Sequence, residues 1–572
     1  MQKTFTAVAA IAGISALAFT PVADAATRKK ATTTTTKAPV TAAPTTAPVA
    51  PATAAPVATA AASAPCSKKG GAFVDNWNYS TKEADHLDPA LNTELIGGQI
   101  NNLMFDTLTR SDSDGKLQGD VAESWSSNAN STVWTFKLKK GVKFTNGEAV
   151  LPSTFKKSWE RFVSPALASE YADIANVIKG WDDVQKGKTK ELAIKADDAA
   201  LTLEVTMSEP YGIFPSMIQL GVFSPVPAEA LSKGASWEQG NIVGNGAFKI
   251  DKRVAGQTLK LVRNDDWFGG ITGHTACLDS VEFKVSKDQI SAYADFEAGN
   301  SNNGVIPVGK FSEATGKYGD RATKATLSVN YLQFNWNNKD WGGFANTKIR
   351  QAVAAAVDRK QIIDVVYNGA AAIPTGIVPP GIPGFNKSVS TFYQKTGADT
   401  ATAQRLIAEY GKPVPPLSLY FRSNSTETTI AQLVQAQLKT VGIDVKLEPQ
   451  VPAGYFTRLG NQNWVFAISG WALDYPGQDN VLNQLFHTSD DSSNNRSDFS
   501  SGKFDQLTEQ GRSAPDPAKS ASLYNQAEAL LLDTYSIIPF RWGRFQTVLS
   551  SKVDTYPQNG LSYVDYASVT LK

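Results

Sequence analysis

Asp474 stands between Trp471 and Tyr475, directly after the continuous apolar run Trp464-Val465-Phe466-Ala467-Ile468. Such a run has the signature of a strand buried on both faces. In open α/β sheets ligands sit beyond the carboxyl ends of strands, so an aspartate there is placed to face a cleft; a turn aspartate on the surface is the other reading. Reactive constellations are missing elsewhere. The three histidines, His86, His274 and His487, have no His or Cys neighbour at metal-ligand spacing. Gly187-Lys188-Thr189 lacks the earlier glycine of a phosphate loop, because Asp182 occupies that position. Gly244-Asn245-Gly246 has no third dinucleotide-type glycine, and no Gly-x-Ser-x-Gly elbow occurs. The carboxylate pairs Asp182-Asp183 and Asp490-Asp491 read as solvated loops. Binding is therefore favoured over catalysis, and neither metal nor cofactor is expected.

The elements that must position Asp474 alternate strand and helix throughout, which predicts an α/β architecture of more than one lobe. Trp134, Phe136 and Leu138 alternate as a strand, while Phe155, Trp159, Phe162 and Val163 fall at helical spacing. Residues 248–250 and 259–262 flank Ala255-Gly256 as a hairpin. A helix opens near Asn346, and Asp358 with Gln361 forms a capping pair for the next, which stops near Gly369. Ile430, Leu433, Val434, Leu438 and Val441 mark a helix ending at Gly442, followed by the strand Ile443, Val445, Leu447.

The 572 residues are 42% hydrophobic and carry a net charge of +1, which excludes a disulfide-stapled mini-protein and a nucleic-acid binder driven by bulk charge. Arg28, Lys29, Lys30 and Lys37 outweigh that charge, so residues 66–572 are mildly acidic, at about −3. Residues 1–25 read as a secretory signal: Lys3, an apolar stretch from Ala7 to Phe19, then Ala23-Asp24-Ala25. Residues 26–65 are rich in Ala, Thr and Pro and form an extended linker, either a stalk of up to about 100 Å or a disordered tail. An extracytoplasmic location follows, in a periplasm or at a cell wall. Cys66 and Cys277, the two thiols of an exported chain, are candidates for one bridge, with free buried thiols as the alternative.

From about Gly71 onward the chain resembles the extracellular solute-binding proteins of family 5, the peptide/nickel-type receptors of ABC importers. The matching blocks are Leu87-Asp88-Pro89, Ala122-Glu123-Ser124-Trp125, residues 136–144, residues 158–162 and Gly244-Asn245-Gly246-Ala247-Phe248. Leu261-Val262-Arg263-Asn264, Phe334-Asn335, Ile349-Arg350-Gln351-Ala352, Val357-Asp358-Arg359 and residues 471–476 complete them. The resemblance implies a type II periplasmic-binding-protein fold of the cluster C kind, with two lobes, a hinge and an extra third domain. Lobe I maps to 66–105, 242–330 and 536–572, domain II to 106–241 and lobe III to 331–535. It further implies a monomer that closes on a peptide and docks on a membrane permease.

In peptide-binding members the aspartate of the Trp-x-x-Asp segment pairs with the ligand α-amine. That implies Asp474, with Trp471 and Tyr475 alongside. By the same resemblance Thr93, Glu94 and Leu95 should lie on the lobe I wall, and Tyr331 and Gln333 near the hinge. Two departures stand out: Ile468 and Ser469 occupy the region where some members carry a basic residue, and Gly477-Gln478 replaces Asp-Pro. A nickel complex, an oligosaccharide or another amine-bearing solute on the same scaffold is the alternative ligand. An extracytoplasmic hydrolase and a cell-wall structural protein are rival functions.

Overall fold

A computed structural model describes residues 66–76, 84–286, 288–307, 309–336, 338, 346–452, 454–461, 464–488 and 494–572. The expected signal and linker, and the pair Asp490-Asp491, lie outside the described residues. Among the described residues no helix is long and apolar enough to cross a membrane.

Three sheets carry three main hydrophobic cores. The first is four-stranded, in the order Ala72–Asp75, Ser280–Lys284, Thr258–Arg263, Phe248–Val254. Its last two strands are the expected hairpin, turned at Gly256, whose φ of 66° lies in the left-handed region that suits glycine. Phe73, Leu261, Val281 and Phe283 pack under the helix Leu95–Met104, and Val564, Tyr566 and Val569 near the chain's end complete this core. Cys66 and Cys277 are joined by a disulfide that ties the chain's entry to the loop before Ser280.

The second sheet is antiparallel, in the order Ala122–Ser127, Val133–Leu138, Thr202–Thr206, Ile194–Asp197. Trp134, Phe136 and Leu138 alternate inward, as period-two spacing requires. They meet Phe155, Trp159 and Phe162 from the helix Pro152–Phe162. Trp159 is fully buried and satisfies its indole by donating to the Phe223 carbonyl at 2.8 Å.

The third sheet has five strands, in the order Val445–Gln450, Leu417–Arg422, Phe466–Ala472, Ala325–Phe334, Ile537–Arg544. The strand Phe466–Ala472 is central, parallel to one neighbour and antiparallel to the other, and its first four residues are all buried, as a strand covered on both faces requires. It begins two residues later than the apolar run. Trp464 instead packs with Tyr455, Leu459 and Ala467, and donates its indole hydrogen to the Leu459 carbonyl. Ala325–Phe334 and Ile537–Arg544 pair with each other inside this sheet, so the expected lobe boundaries at 330/331 and 535/536 cut across it.

Local signals hold with instructive shifts. The Asp358 carboxylate accepts from the Gln361 backbone N–H and caps the helix Arg359–Tyr367. Gln361 does not reach back to complete a box: its carbonyl accepts from Gln437, whose own carbonyl takes the Asp358 N–H at 3.0 Å. The helix ends on Asn368, left-handed at φ 48°, one residue before the expected glycine.

Candidate functional site

Where the three cores meet lies a cavity of 460 Å³, within the usual span of small-molecule sites. Trp471 and Asp474 enter it from the end of the central strand Phe466–Ala472 and the turn beyond. Thr93, Glu94 and Leu95 line it from the start of the helix Leu95–Met104. Tyr171 and Leu220 come from the segments that pack on the second sheet, and Tyr563 from the chain's last turns. Gly98 lets Tyr563 lie against that helix, because a Cβ there would stand 2.5 Å from the phenol oxygen.

Asp474 is held by Asn480, in the helix Asp479–Phe486. The Asn480 carbonyl accepts from the Asp474 backbone N–H and from the Trp471 indole, each at 2.9 Å. Its amide donates to one Asp474 oxygen at 3.1 Å. One asparagine thereby orients ring and carboxylate together. The second carboxylate oxygen has no hydrogen-bond partner among the described residues, and no cation pairs with the group. Burial raises the Asp474 carboxyl above its ordinary value, with the Asn480 bond opposing. The same negative charge, after burial, helps push the phenols of Tyr171 and Tyr563 upward, the latter to about 12.

Two guanidinium groups also reach the cavity. Arg110 is spoken for: it donates to Asp120 at 3.1 Å and to Asp106 at 3.0 Å. Arg496 has no carboxylate partner among the described residues. It stacks over Phe456 at 4.5 Å and donates to the Asn494 side chain at 3.2 Å. Burial lowers its pKa, so an anion brought alongside would relieve an unfavourable desolvation.

Three expected residues stand away from this wall. Tyr475 is buried in the second core, donating its hydroxyl to Asp479 at 2.9 Å. Tyr331 and Gln333 sit mid-strand and are buried, and of that strand only Leu327 and Ser328 near its start reach the cavity. Asn480, Arg496, Tyr171 and Tyr563 were not legible from motif or periodicity. Among the described residues Cys66, His274 and Cys277 bring metal-ligand atoms within 4.8 Å of one another, but both sulfurs are consumed by the bridge.

Three cores line this cavity, and on its walls stand a carboxylate and a guanidinium that have no ion-pair partner among the described residues, an arrangement suited to binding a charged solute. Residues 116–493 match the middle region of the bacterial extracellular solute-binding proteins, family 5, and the chain belongs to that family. The periplasmic oligopeptide-binding protein OppA of Escherichia coli (strain K12) is 29% identical over 472 residues, 80% of this chain and 85% of that protein. The dipeptide-binding protein DppE of Bacillus subtilis (strain 168) is 26% identical over 510 residues, 86% of this chain and 90% of that one. Among solved structures, the unliganded open form of the periplasmic murein tripeptide binding protein MppA superposes with a TM-score of 0.76 at 24% identity, covering 88% of this chain and 98% of the other. The fold is the type II periplasmic-binding-protein fold.

Proposed function

We propose that this protein is the peptide receptor of an ABC importer, and that Asp474 is the partner of the peptide α-ammonium. The observation that carries the reading is the Asp474 carboxylate, which lines the cavity and, among the described residues, has one oxygen unpartnered and no cation beside it. A buried ammonium needs such a partner, and a buried carboxylate without one is disfavoured by desolvation. Arg496 supplies the opposite charge, for a carboxylate at the far terminus or on a side chain of the ligand. The cavity therefore suits a zwitterion, a demand that neither a neutral oligosaccharide nor a nickel ion makes. The ligands for which these relatives are named, oligopeptides and dipeptides, agree with that chemistry.

In this reading the ligand bridges walls from three cores, and its differential contacts favour the closed state that a membrane permease accepts. Residues 1–25 are removed on export, residues 26–65 space the folded part from its point of attachment, and the receptor works extracytoplasmically as a monomer. Thermal unfolding in the presence of tri- and tetrapeptides tests the function, because a ligand that binds only the folded state raises Tm. Free-amine peptides are expected to raise Tm and their N-acetylated forms to leave it unchanged. Equal protection by both forms overturns the amine assignment, and protection by sugars or nickel alone overturns the peptide reading.

A further inference from the structure

A seam joins the second core to the third beside the ligand cavity. One side is the 209–212 segment, just past the strand Thr202–Thr206; the other is the end of the helix Gly502–Ser513. The Gly212 backbone N–H donates to the Arg512 carbonyl at 2.7 Å, one of the last carbonyls of that helix, which have no partner within it. Arg512 donates to the Glu209 carboxylate at 2.7 Å and lies 5.7 Å over the Tyr211 ring. The Ser513 hydroxyl donates to the Pro210 carbonyl at 3.4 Å. The two backbones come so close that a Cβ on Gly212 would stand 2.5 Å from the Ala514 carbonyl oxygen. Tyr475 crosses the same seam. It follows Asp474 in the turn that carries the ligand carboxylate, yet its ring is buried in the second core beside Tyr211. Its hydroxyl is tethered to Asp479, whose other oxygen takes the Tyr524 hydroxyl at 2.6 Å. Asp479 and Asn480 open one helix, so its first residue holds the seam and its second holds the Asp474 carboxylate.

The second core is fixed more firmly on the first. Arg161 donates to both oxygens of the fully buried Asp88 carboxylate. The Ser169 hydroxyl donates to the Ala90 carbonyl at 2.6 Å, and the Thr145 backbone N–H to the Gly244 carbonyl at 2.8 Å. If the third core swings away from the first, one of these two junctions must part. Breaking the buried Arg161–Asp88 pair would strand two charges, which is costly. The seam gives way more easily: its Glu209 carboxylate is half-exposed, and water can replace its backbone bonds as it opens. The one apolar loss is the Tyr475 ring leaving the second core.

We propose that this seam is a clasp that forms as the third core closes on the other two and parts as it opens, setting how long every ligand is retained while touching none. The inference rests on the closing receptor proposed above, but not on the chemistry of its ligand. Gly212→Ala tests it by wedging a methyl against backbone, which cannot turn aside as a side-chain tip can. Glu209→Gln removes only the charge pair with Arg512. Spin labels on Lys190→Cys and Lys519→Cys, exposed positions on the two sides, report their separation in the ligand-free full chain; the native cysteines are bridged and stay unlabelled. Stopped-flow fluorescence reports release of free-amine tripeptides. Both variants are expected to lengthen the ligand-free separation and to speed release, about tenfold in Gly212→Ala and about two- to threefold in Glu209→Gln. The factor should be the same for tripeptides of different sequence, with association rates unchanged. Separation and release unchanged in both variants, with or without a lowered Tm, overturns the clasp, as does a factor that varies from peptide to peptide. If no peptide binds, the peptide reading fails alone and the ligand-free separations still decide: a longer distance in Gly212→Ala supports the clasp and an equal one overturns it.

Discussion

Replacing Asp474 by Asn removes a charge while keeping size and shape, so it isolates the ammonium–carboxylate term. In the ligand-free protein the substitution has little to break. The Asn480 amide can donate to the new carbonyl as it does to the present carboxylate oxygen, and no cation loses a partner. Burial already disfavours the charged form of Asp474, so Tm without ligand should stay level or rise slightly. With a free-amine peptide bound, the variant leaves an ammonium enclosed without a counter-charge. Truncating one partner of such a pair costs about 2–5 kcal/mol, or roughly 30-fold to several thousand-fold in Kd. Calorimetry of both proteins with a peptide and its N-acetylated form closes a double-mutant cycle whose coupling energy should fall in that range. Proton linkage gives a second signature. The ammonium selects the ionised carboxylate, whose pKa in the empty site lies above the ordinary value, so affinity should fall about tenfold per pH step once pH drops below it. Asp474→Asn should show no such acid limb. A coupling energy near zero, or an acid limb retained in Asp474→Asn, refutes the pairing.

Two further perturbations probe the frame around the site. Glu528 is fully buried and accepts from the backbone N–H groups of Ile377 and Val378 at 2.8 and 3.0 Å, yet burial pushes its carboxyl up to about 7 from an ordinary 4.5. Asp75, held by Asn303, is pushed by burial to about 7 from 3.8. A raised folded-state pKa means that the native protein holds a proton the unfolded chain has released. Stability contributed by the neutral forms is therefore present below about pH 4 and is lost as pH rises to about 7, levelling off above. Tm measured from pH 5 to pH 8 should fall, and Glu528→Gln, which keeps the accepting carbonyl without the charge, should flatten part of the decline; a slope unchanged by that variant removes Glu528 from the account. Gly98→Ala would place a methyl 2.5 Å from the Tyr563 phenol oxygen and drive that ring into the cavity. Peptide affinity should drop about tenfold with Tm nearly unchanged, and unaltered affinity would show that Tyr563 does not shape the bound state.

Sequence pattern reached the site only where one continuous segment builds it. The apolar run before Asp474 foretold a central strand, and the carboxylate beyond its end follows from the way a sheet presents its carboxyl edge. Tyr475, one residue on, was expected on the same wall. Here the chain turns, and its ring joins the core of the second sheet, packing against a domain more than two hundred residues earlier in sequence. No local period encodes that choice. Tyr331 and Gln333, expected near the hinge, are buried mid-strand and do not line the cavity, because a strand can reach a cavity with its first residues while its middle packs inside the core. Arg496 lies in a polar stretch with no periodicity, and what gives it meaning is Phe456 beneath its guanidinium, a contact across forty residues. Tyr171 and Tyr563 come from segments almost four hundred residues apart and meet at Asp474 because the chain re-enters its first core at the end. Ile468 and Ser469 stand just before Trp471 with no basic residue beside them, yet the cavity acquires, from another element, a guanidinium that has no carboxylate partner among the described residues. If the ligand is the zwitterion proposed above, the requirement is electrostatic complementarity at that point in space, and any segment the fold brings there can meet it.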